Sequence, residues 1–193
     1  MDLQLDERVV LVVGGTGLIG SAIADRAREE GATVVVASRG GGGGDGIVMD
    51  ARDDGSVASG VATVLERHGR LDAVVTAAGI DRCGRLDVVE GKEWEHVIAV
   101  NLLGTAAVAR AALPKVEASH GRLVTVASTL GLRALSDATA YCASKFGVVG
   151  FTRALAVETA GRIGVTLLIP GGMSTHFFDD GPDQQRPGAD SKL

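Results

Sequence analysis

The amino-acid sequence predicts an α/β fold, in which a doubly wound parallel sheet of about six strands lies between two layers of helices. A short apolar segment, residues 8–13, leads directly into a glycine-rich turn and then into a helical segment. Strand-like and helix-like segments alternate along most of the chain, which is typical of parallel sheets. The chain is 46% hydrophobic but only 3% aromatic, so we expect a core built mostly of Val, Ala and Leu.

The predicted elements follow one another in a regular order. Runs of apolar and β-branched residues predict strands near 8–13, 33–38, 46–50, 71–76, 121–127 and 163–169. Helices are predicted near 18–30, 54–68, 92–118 and 138–160, and Pro114 is expected to bend the third helix or end it early. The length suits one domain, which we expect over residues 1–178. A polar tail rich in Gly and Pro, residues 179–193, is expected to be flexible.

The connection between the second and third strands is unusual. Residues 40–44 are five consecutive glycines, and Asp45 and Gly46 follow them. A parallel crossover normally needs a dozen or more residues and usually contains a helix. The sequence therefore predicts a short, soft connection that lacks this helix.

The turn after the first strand predicts a nucleotide-binding site. Its glycines satisfy both the G-x-G-x-x-G and the G-x-x-G-x-x-G patterns. They allow a tight turn, close approach of the backbone to a pyrophosphate, and close packing of the helix on the strand. The N–H groups at the start of the next helix are then available to phosphate oxygens. The candidate residues are Gly14, Gly15, Thr16, Gly17, Leu18, Ile19 and Gly20.

A tyrosine and a lysine four residues apart indicate acid–base chemistry. If residues 138–160 are helical, Tyr141 and Lys145 lie on the same face of the helix. An ammonium beside a phenol favours the phenolate, so Lys145 is expected to lower the pKa of Tyr141 from about 10. The spacing alone also arises by chance on many helices, but Ser128 adds a hydroxyl group shortly before it. Such a phenol could donate or accept a proton near neutral pH.

Over residues 7–176 the sequence resembles the short-chain dehydrogenase/reductase family, through several motifs in that family's order. Residues 76–79, Thr-Ala-Ala-Gly, match the family's Asn-Asn-Ala-Gly motif, with both asparagines replaced. The other matching positions are Gly14, Gly17 and Gly20 in the cofactor turn, Asp50 after the third strand, Asn101 in the third helix, Ser128 thirteen residues before Tyr141, and the Pro-Gly-x-x-x-Thr segment at 170–175. The resemblance implies a Rossmann fold with three α/β/α layers.

The same resemblance implies an enzyme that transfers a hydride between a nicotinamide cofactor and a ketone or secondary alcohol. Ser128 would hydrogen-bond the carbonyl oxygen, and Tyr141 would deliver the proton. Lys145 would bind the nicotinamide ribose and keep Tyr141 poised, while Asn101 would hold a water that links Lys145 to solvent. Beyond the glycine turn, the implied cofactor-binding residues are Ser38, Arg39, Asp50, Ala51, Ala77, Ala78, Gly79, Tyr141, Lys145, Pro170, Gly171 and Thr175.

The end of the second strand favours NADP over NAD. Sites for NAD usually place Asp or Glu there to accept the ribose 2′-hydroxyl, whereas an arginine suits the 2′-phosphate of NADP. This chain has Ser38 and Arg39 at that point and no carboxylate. A guanidinium matches phosphate geometry well. We therefore expect NADP, with NAD as the alternative.

Composition and charge exclude several classes of partner. The net charge of −5 and the pI of about 5.3 argue against nucleic acid, and no apolar run reaches the length of a membrane span. Cys83, Cys142 and the four histidines lack metal-ligand spacing, so no metal is expected. These features predict a cytoplasmic protein. The final Ser-Lys-Leu, residues 191–193, spells a peroxisomal address, which applies only if it is genuine and the source is eukaryotic.

The resemblance implies a homodimer or homotetramer, since the segments 92–118 and 138–160 form the family's usual dimer surface. The sixth strand, residues 163–169, is expected to be an apolar edge strand that a partner subunit or the tail covers. Three function classes stay open. The Ser128, Tyr141, Lys145 and Asn101 set favours a reductase of ketones or oxoacyl groups. The missing substrate lid and last strand favour a cofactor-binding protein with little or no turnover, and the G-x-x-G-x-x-G spacing favours an epimerase- or dehydratase-like relative.

Overall fold

A computed structural model describes residues 4–172, and these residues form one six-stranded parallel sheet with helices on both faces. The sheet order is β3-β2-β1-β4-β5-β6. All six predicted strands are present, with these bounds: β1 Val9–Val13, β2 Thr33–Ser38, β3 Ile47–Val48, β4 Ala73–Thr76, β5 Arg122–Val126 and β6 Gly164–Leu168. The predicted α/β fold with three layers is confirmed.

The helices begin and end close to their predicted limits. They are α1 Leu18–Glu29, α2 Asp54–His68, α3 Gly91–Ile98, α4 Gly104–Ala118 and α5 Thr139–Glu158, with a π-helical turn at Ala99–Leu103 and a 3-10 turn at Thr129–Gly131. Within the described residues, α1 covers one face of the sheet, and α2, α4 and α5 cover the other. β1 pairs with β2 on one side and with β4 on the other. The first three strands are therefore added toward one edge of the sheet and the last three toward the other. Open α/β sheets hold ligands beside such a reversal, at the carboxyl ends of the strands.

Small aliphatic side chains fill both sides of the sheet. Every residue of β1 is buried, and its alternate side chains point to opposite faces. Toward α2 and α4, the main buried residues are Leu11, Val13, Val57, Val61, Val64, Val108 and Ala112. Toward α1 they are Val10, Val12, Ala24, Ala27 and Val36. The expected core of Val, Ala and Leu is therefore present, and its fit depends on close packing of short side chains.

The glycine run forms a compact loop in place of a helix. β3 is only two residues long and pairs with the last two residues of β2, so the connection has little distance to cover. A Cβ on Gly42 would lie 2.6 Å from the Val36 carbonyl oxygen, so only glycine lets the loop pack this closely on β2. Arg67 of α2 donates to the Asp45 carbonyl at 2.8 Å and so anchors the loop to α2. The predicted absence of a helix is confirmed, and the loop is anchored at specific points.

The third predicted helix differs from expectation in two ways. The π-helical turn interrupts it at Ala99–Leu103, and the prediction that Pro114 ends it early is wrong, since α4 continues to Ala118. Pro114 lies on the exposed side, while the fully buried Val116 holds the last turn against the sheet. By length and composition alone, the combined helix Gly91–Ala118 could cross a membrane. Its buried side chains instead pack against the sheet, as in the core helix of a globular protein.

Two predictions concern the end of the chain. β6 is one of the two edge strands of the sheet formed by residues 4–172, and Leu168 on it is 38% exposed, so the predicted apolar edge is present there. Thr175 and the tail at 179–193 lie outside the described residues. The covering of the edge by the tail or a partner stays a prediction.

A buried carboxylate stabilises the end of the sheet at which the strands begin, away from the predicted cofactor site. Asp72 accepts hydrogen bonds from the Val9 backbone N–H at 2.9 Å, from Arg8 at 3.1 Å and from Arg70 at 2.6 and 2.8 Å. Burial alone would raise the pKa of Asp72, but the hydrogen bonds from Arg70, Val9 and Arg8 outweigh it and leave the pKa below its usual value. This carboxylate joins the starts of β1 and β4.

Replacing Asp72 by Asn is expected to lower the free energy of unfolding at pH 7 by about 1 to 3 kcal/mol, because charged hydrogen bonds to a buried group are lost. The folded pKa lies below the unfolded value of about 3.9, so this stabilisation is complete above that pH and is lost as the pH falls through the folded pKa. The difference between the two proteins should therefore close below about pH 4. Urea unfolding at several pH values measures it.

The exposed Asp25→Asn variant is the matched control, since Asp25 pairs with Arg28 on the surface of α1. Its effect should stay below about 0.5 kcal/mol. An equally small effect of Asp72→Asn at pH 7 would contradict the assigned role.

Candidate active site

Two adjoining cavities open at the carboxyl edge of the sheet, and both touch Gly17, Ala77 and Gly79. Among the predicted site residues, the first cavity is lined by Gly17, Leu18, Ile19, Gly20, Ala77, Gly79, Ser128, Tyr141, Lys145, Pro170 and Gly171. The second is lined by Gly14, Thr16, Gly17, Ser38, Arg39, Asp50, Ala51, Ala77, Ala78 and Gly79. Residues predicted from separate motifs are thus brought together along one continuous groove.

The glycine turn lies between these cavities and fits very closely against its surroundings. A Cβ on Gly20 would lie 2.3 Å from the Gly14 carbonyl oxygen, and Gly14 itself has φ +81° and lies against the Ala78 backbone. Gly17 is the N-cap residue of α1 and provides no capping side chain, so the first N–H groups of the helix are open to a ligand such as a phosphate.

Gly15 differs from the other glycines of the turn, and its predicted contact with a cofactor stays a prediction. It lines neither cavity, because it faces β2, where a Cβ would lie 2.8 Å from a Val36 methyl group. Glycine is required at this position because the turn packs closely on β2. Thr175, also predicted to bind cofactor, lies outside the described residues.

Ser128 follows β5 and leads into the 3-10 turn. Its Oγ accepts a hydrogen bond from the Leu130 N–H at 3.1 Å, and its hydroxyl also hydrogen-bonds the phenol of Tyr141. The neighbouring Thr129 N–H donates to the Pro170 carbonyl at 3.0 Å, which draws the segment after β6 toward the cavity. Ser128 therefore has a structural role as the cap of a turn, and its hydroxyl also contacts Tyr141.

Tyr141 and Lys145 lie on the same face of α5, as their spacing predicts. Both are buried, and the Lys145 Nζ lies 5.6 Å from the centre of the Tyr141 ring. The ammonium donates a hydrogen bond to the Val126 carbonyl at the end of β5, at 2.9 Å. No carboxylate lies within ion-pair distance of Lys145 among residues 4–172.

Burial controls the protonation of both groups, and it corrects one expectation. It raises the pKa of Tyr141 to about 12; the hydrogen bond from Ser128 opposes this rise, and the charge of Asp81 adds to it. The expectation that Lys145 lowers the phenol pKa is therefore wrong for this structure. Burial also lowers the pKa of Lys145, to about 8, because a cation is costly away from water. The structure favours a protonated phenol beside a lysine that is easily deprotonated.

Asn101 lies in the π-helical turn and is fully buried. Its Oδ1 accepts from the Ile80 N–H at 2.8 Å, and its Nδ2 donates to the Ile80 carbonyl at 2.9 Å and to the Ser144 hydroxyl at 3.0 Å. It lines neither cavity, but a Cβ on Gly79 would lie 3.5 Å from its Oδ1 and 3.6 Å from the Lys145 Nζ. Asn101 therefore joins the segment after β4 to α5, directly behind the first cavity.

The second cavity contains a charged residue that the sequence reasoning missed. Arg52 lines the cavity and forms a forked pair with Asp50, with its Nε 2.9 Å from Oδ1 and its Nη2 2.5 Å from Oδ2. The pKa of Asp50 is lowered to about 2, chiefly by the hydrogen bonds from Arg52 and to a smaller extent by the charge of Arg39. The Asp-x-Arg spacing at 50–52 was the available signal. Two guanidiniums thus border this cavity, where the sequence argument considered one.

Replacing Lys145 by Met is expected to raise the free energy of unfolding at pH 7 by about 1 to 3 kcal/mol, because it removes a buried cation without a carboxylate partner. The folded pKa of about 8 lies below the usual value, so the charge destabilises the fold fully below that pH. The gain should shrink as the pH rises from about 8 and vanish above about 10.4, where the lysine is neutral in both states. Urea unfolding across this range measures the gain.

Lys115→Met on the exposed side of α4 is the matched control, with an expected change below about 0.5 kcal/mol. If Lys145→Met were less stable than the unmodified protein at pH 7, the cost assigned to the buried charge would be wrong.

Known proteins share both the sequence pattern and the fold. A family model described as short chain dehydrogenase matches residues 8–186. D-threitol dehydrogenase of Mycolicibacterium smegmatis is 34% identical, over 83% of this chain and 68% of that protein. The 3-oxoacyl-(acyl-carrier-protein) reductase FabG of Thermotoga maritima is 31% identical, over 99% of this chain and 84% of that protein.

A solved structure extends the likeness to three dimensions. The short chain dehydrogenase/reductase of Burkholderia phymatum in complex with NAD has a TM-score of 0.85 and 25% identity, with coverage of 97% of this chain and 73% of that one. Relatives named as dehydrogenases and reductases, together with the matching fold and family model, support an NAD(P)-dependent oxidoreductase acting on CH–OH and C=O groups. The chain therefore belongs to the short-chain dehydrogenase family.

Proposed function

We propose that this protein transfers a hydride between NADPH and a ketone or the corresponding secondary alcohol, with Ser128, Tyr141 and Lys145 as catalytic residues. One observation carries the proposal: these three side chains line the same cavity as Gly17 and Gly20 of the phosphate-type turn. The close contacts that exclude a Cβ at Gly14 and Gly20 leave backbone N–H groups exposed in a narrow cradle, which fits a dinucleotide.

The chain's own residues provide the proton and the polarisation. A bound nicotinamide supplies or accepts the hydride. In the reducing direction, negative charge develops on the substrate oxygen, and the Ser128 hydroxyl donates a hydrogen bond to it. Tyr141, protonated because burial raises its pKa, delivers the proton to that oxygen. Lys145 returns a proton to the resulting phenolate, for which its pKa of about 8 is well suited.

Asn101 acts as a positioning residue in this proposal. Its amide holds Ile80 from both sides and reaches Ser144 on α5. The Gly79 backbone, which borders both cavities, is thereby fixed next to Lys145. A water held here by Asn101 would complete the proton path to solvent that the family resemblance implies.

The preference for NADPH rests on the charge of the second cavity. Arg39 is exposed at its rim, and no residue in the described part of the chain forms an ion pair with it. The carboxylate of Asp50 is already taken up by Arg52. A 2′-phosphate would therefore meet an available guanidinium, as its geometry favours.

The names of the relatives indicate a range of substrates, from a small polyol to an oxoacyl group on a carrier protein. A ketone or its alcohol is the common chemistry of that range. We expect a homodimer or homotetramer, and a cytoplasmic location, as the sequence and family resemblance imply.

Replacing Tyr141 by Phe is expected to lower kcat by about a thousandfold, because the proton donor is lost while the ring still fills its site. The Kd for NADPH, followed by quenching of protein fluorescence, should change by less than about threefold. The neighbouring Cys142→Ala variant should keep most of the activity, since Cys142 is a buried free thiol that lines neither cavity. Activity of Tyr141→Phe close to that of the unmodified protein would remove tyrosine from the mechanism.

Replacing Arg39 by Ala is expected to raise the Kd for NADPH by about tenfold or more, the effect of losing a charged hydrogen bond, and to leave the Kd for NADH unchanged. Arg153→Ala, at an exposed position on α5, is the control and should alter neither affinity. Equal affinity of the unmodified protein for the two cofactors would contradict the role of Arg39.

A further inference from the structure

The second cavity is the place for the adenosine half of the cofactor. The glycine turn that fits a pyrophosphate lies between the two cavities, and the first cavity contains Tyr141, which meets the reacting end of the cofactor in the proposed function. The second cavity contains Ser38 and Arg39 at the end of β2, where a dinucleotide places its ribose hydroxyls. The base must then lie in the rest of this cavity, which Asp50 and Arg52 border.

The carboxylate of Asp50 is fully occupied by Arg52. Its Oδ1 accepts from the Arg52 backbone N–H at 3.0 Å and from the Arg52 Nε at 2.9 Å. Its Oδ2 accepts from the same Nε at 3.2 Å and from the Arg52 Nη2 at 2.5 Å. A carboxylate offers roughly four acceptor positions, and this one arginine uses them all. A base in the cavity therefore meets Asp50 with its acceptors already satisfied.

The guanidinium of Arg52 is fixed along its edge. Its Nε and Nη2 face Asp50, and its Nη1 lies 3.4 Å from the His96 Nδ1 on α3. The Asp50 backbone N–H donates to the Ser56 hydroxyl at 3.0 Å, which ties this short segment to α2. The Arg52 side chain still lines the cavity and is 38% exposed. A guanidinium whose edge is engaged in this way keeps its flat face for stacking on an aromatic ring such as a purine.

We propose that Arg52 determines how the site recognises the base of the cofactor: it stacks on the purine ring and, by occupying Asp50, removes the acceptor that would select a 6-amino group. This inference rests on the proposed function. A free carboxylate at this position would accept a hydrogen bond from the amino group of adenine, and a hydrogen bond to a charged group contributes about tenfold or more in affinity. The site built here instead binds the purine by its ring.

The decisive comparison uses two ligands that differ in one group. NADPH carries adenine, whereas an analogue with unsubstituted purine in its place lacks only the 6-amino group and keeps the charge, both riboses and the ring nitrogens. Isothermal titration calorimetry gives the Kd of each ligand without a substrate. The unmodified protein should bind the two ligands with Kd values within about threefold of each other. A preference for NADPH of about tenfold or more would overturn the proposal.

Arg52→Leu frees the Asp50 carboxylate, and the preference for NADPH over the purine analogue should then rise to about tenfold or more. Loss of the positive charge weakens both ligands alike, so the ratio of the two Kd values isolates the contact with the amino group. The double variant Asp50→Ala with Arg52→Leu removes the freed acceptor, and the ratio should return to within about threefold. A ratio that does not rise in Arg52→Leu, or that stays high in the double variant, would contradict the role of Arg52.

Arg52→Lys tests the stacking. Lysine keeps the positive charge but has no flat face, so the affinity for the purine analogue should fall by about threefold or more. An unchanged affinity would show that only the charge matters and would overturn this part of the proposal.

Arg110→Leu is the matched control. Arg110 is exposed on α4 and lies 3.9 Å from Asp54, and it lines a neighbouring surface cavity that Arg52 also borders. It does not line the second cavity. The ratio of the two Kd values should stay within about threefold of one. A rise equal to that of Arg52→Leu would overturn the proposal, because any nearby arginine would then suffice.

The binding measurements separate this inference from the function on which it rests. If the protein binds both ligands but the ratios do not follow these expectations, the role of Arg52 is wrong and the proposed hydride transfer is unaffected. If the ratios are as expected but no ketone is reduced, the hydride transfer is wrong and the role of Arg52 stands. A protein that binds neither ligand would remove both.

Discussion

The forked hydrogen bonds between Asn101 and Ile80 are the constraint on which the site depends. They join the backbone after β4 to the helical layer, and the bond to Ser144 extends the connection to α5. An asparagine inside a helix normally competes with the helical backbone. Here the π-helical turn brings it to a fully buried position, and such turns are often found at functional sites. Both walls of the first cavity are therefore fixed relative to each other.

Lys145 shows how this rigid frame is used. Its ammonium is buried with one hydrogen bond, to Val126, and faces the ring of Tyr141. That arrangement destabilises the fold, since a charge without a carboxylate partner is costly in the interior. The core formed by the small aliphatic residues on both faces of the sheet must offset this loss of stability. Strain of this kind is typical of catalytic sites, where the surrounding structure holds a group in a state that it would avoid in water.

Much of the fold and of the site could be predicted from particular residues. The glycines at 14, 17 and 20 between a strand and a helix indicated the cofactor turn, and the Ser128 to Tyr141 spacing indicated residues that now line one cavity. The direction of the Tyr141 pKa could not be predicted, because it depends on burial and on Asp81, sixty residues earlier in the sequence. Similarly, the packing of Gly15 against Val36 could not be predicted, because glycine patterns do not distinguish packing against a strand from packing against a phosphate.

The glycine loop between β2 and β3 has a consequence for how this sheet tolerates change. Gly42 and Gly46 are locked by close contacts, whereas a Cβ on Gly43 or Gly44 would meet open space. Longer surface loops add little to the entropy of closure. A peptide tag or a foreign segment could therefore be inserted at the tip, residues 43–44. Such an insertion would leave the pairing of β2 with β3 and the position of Arg39 unchanged, and it would not enter the groove.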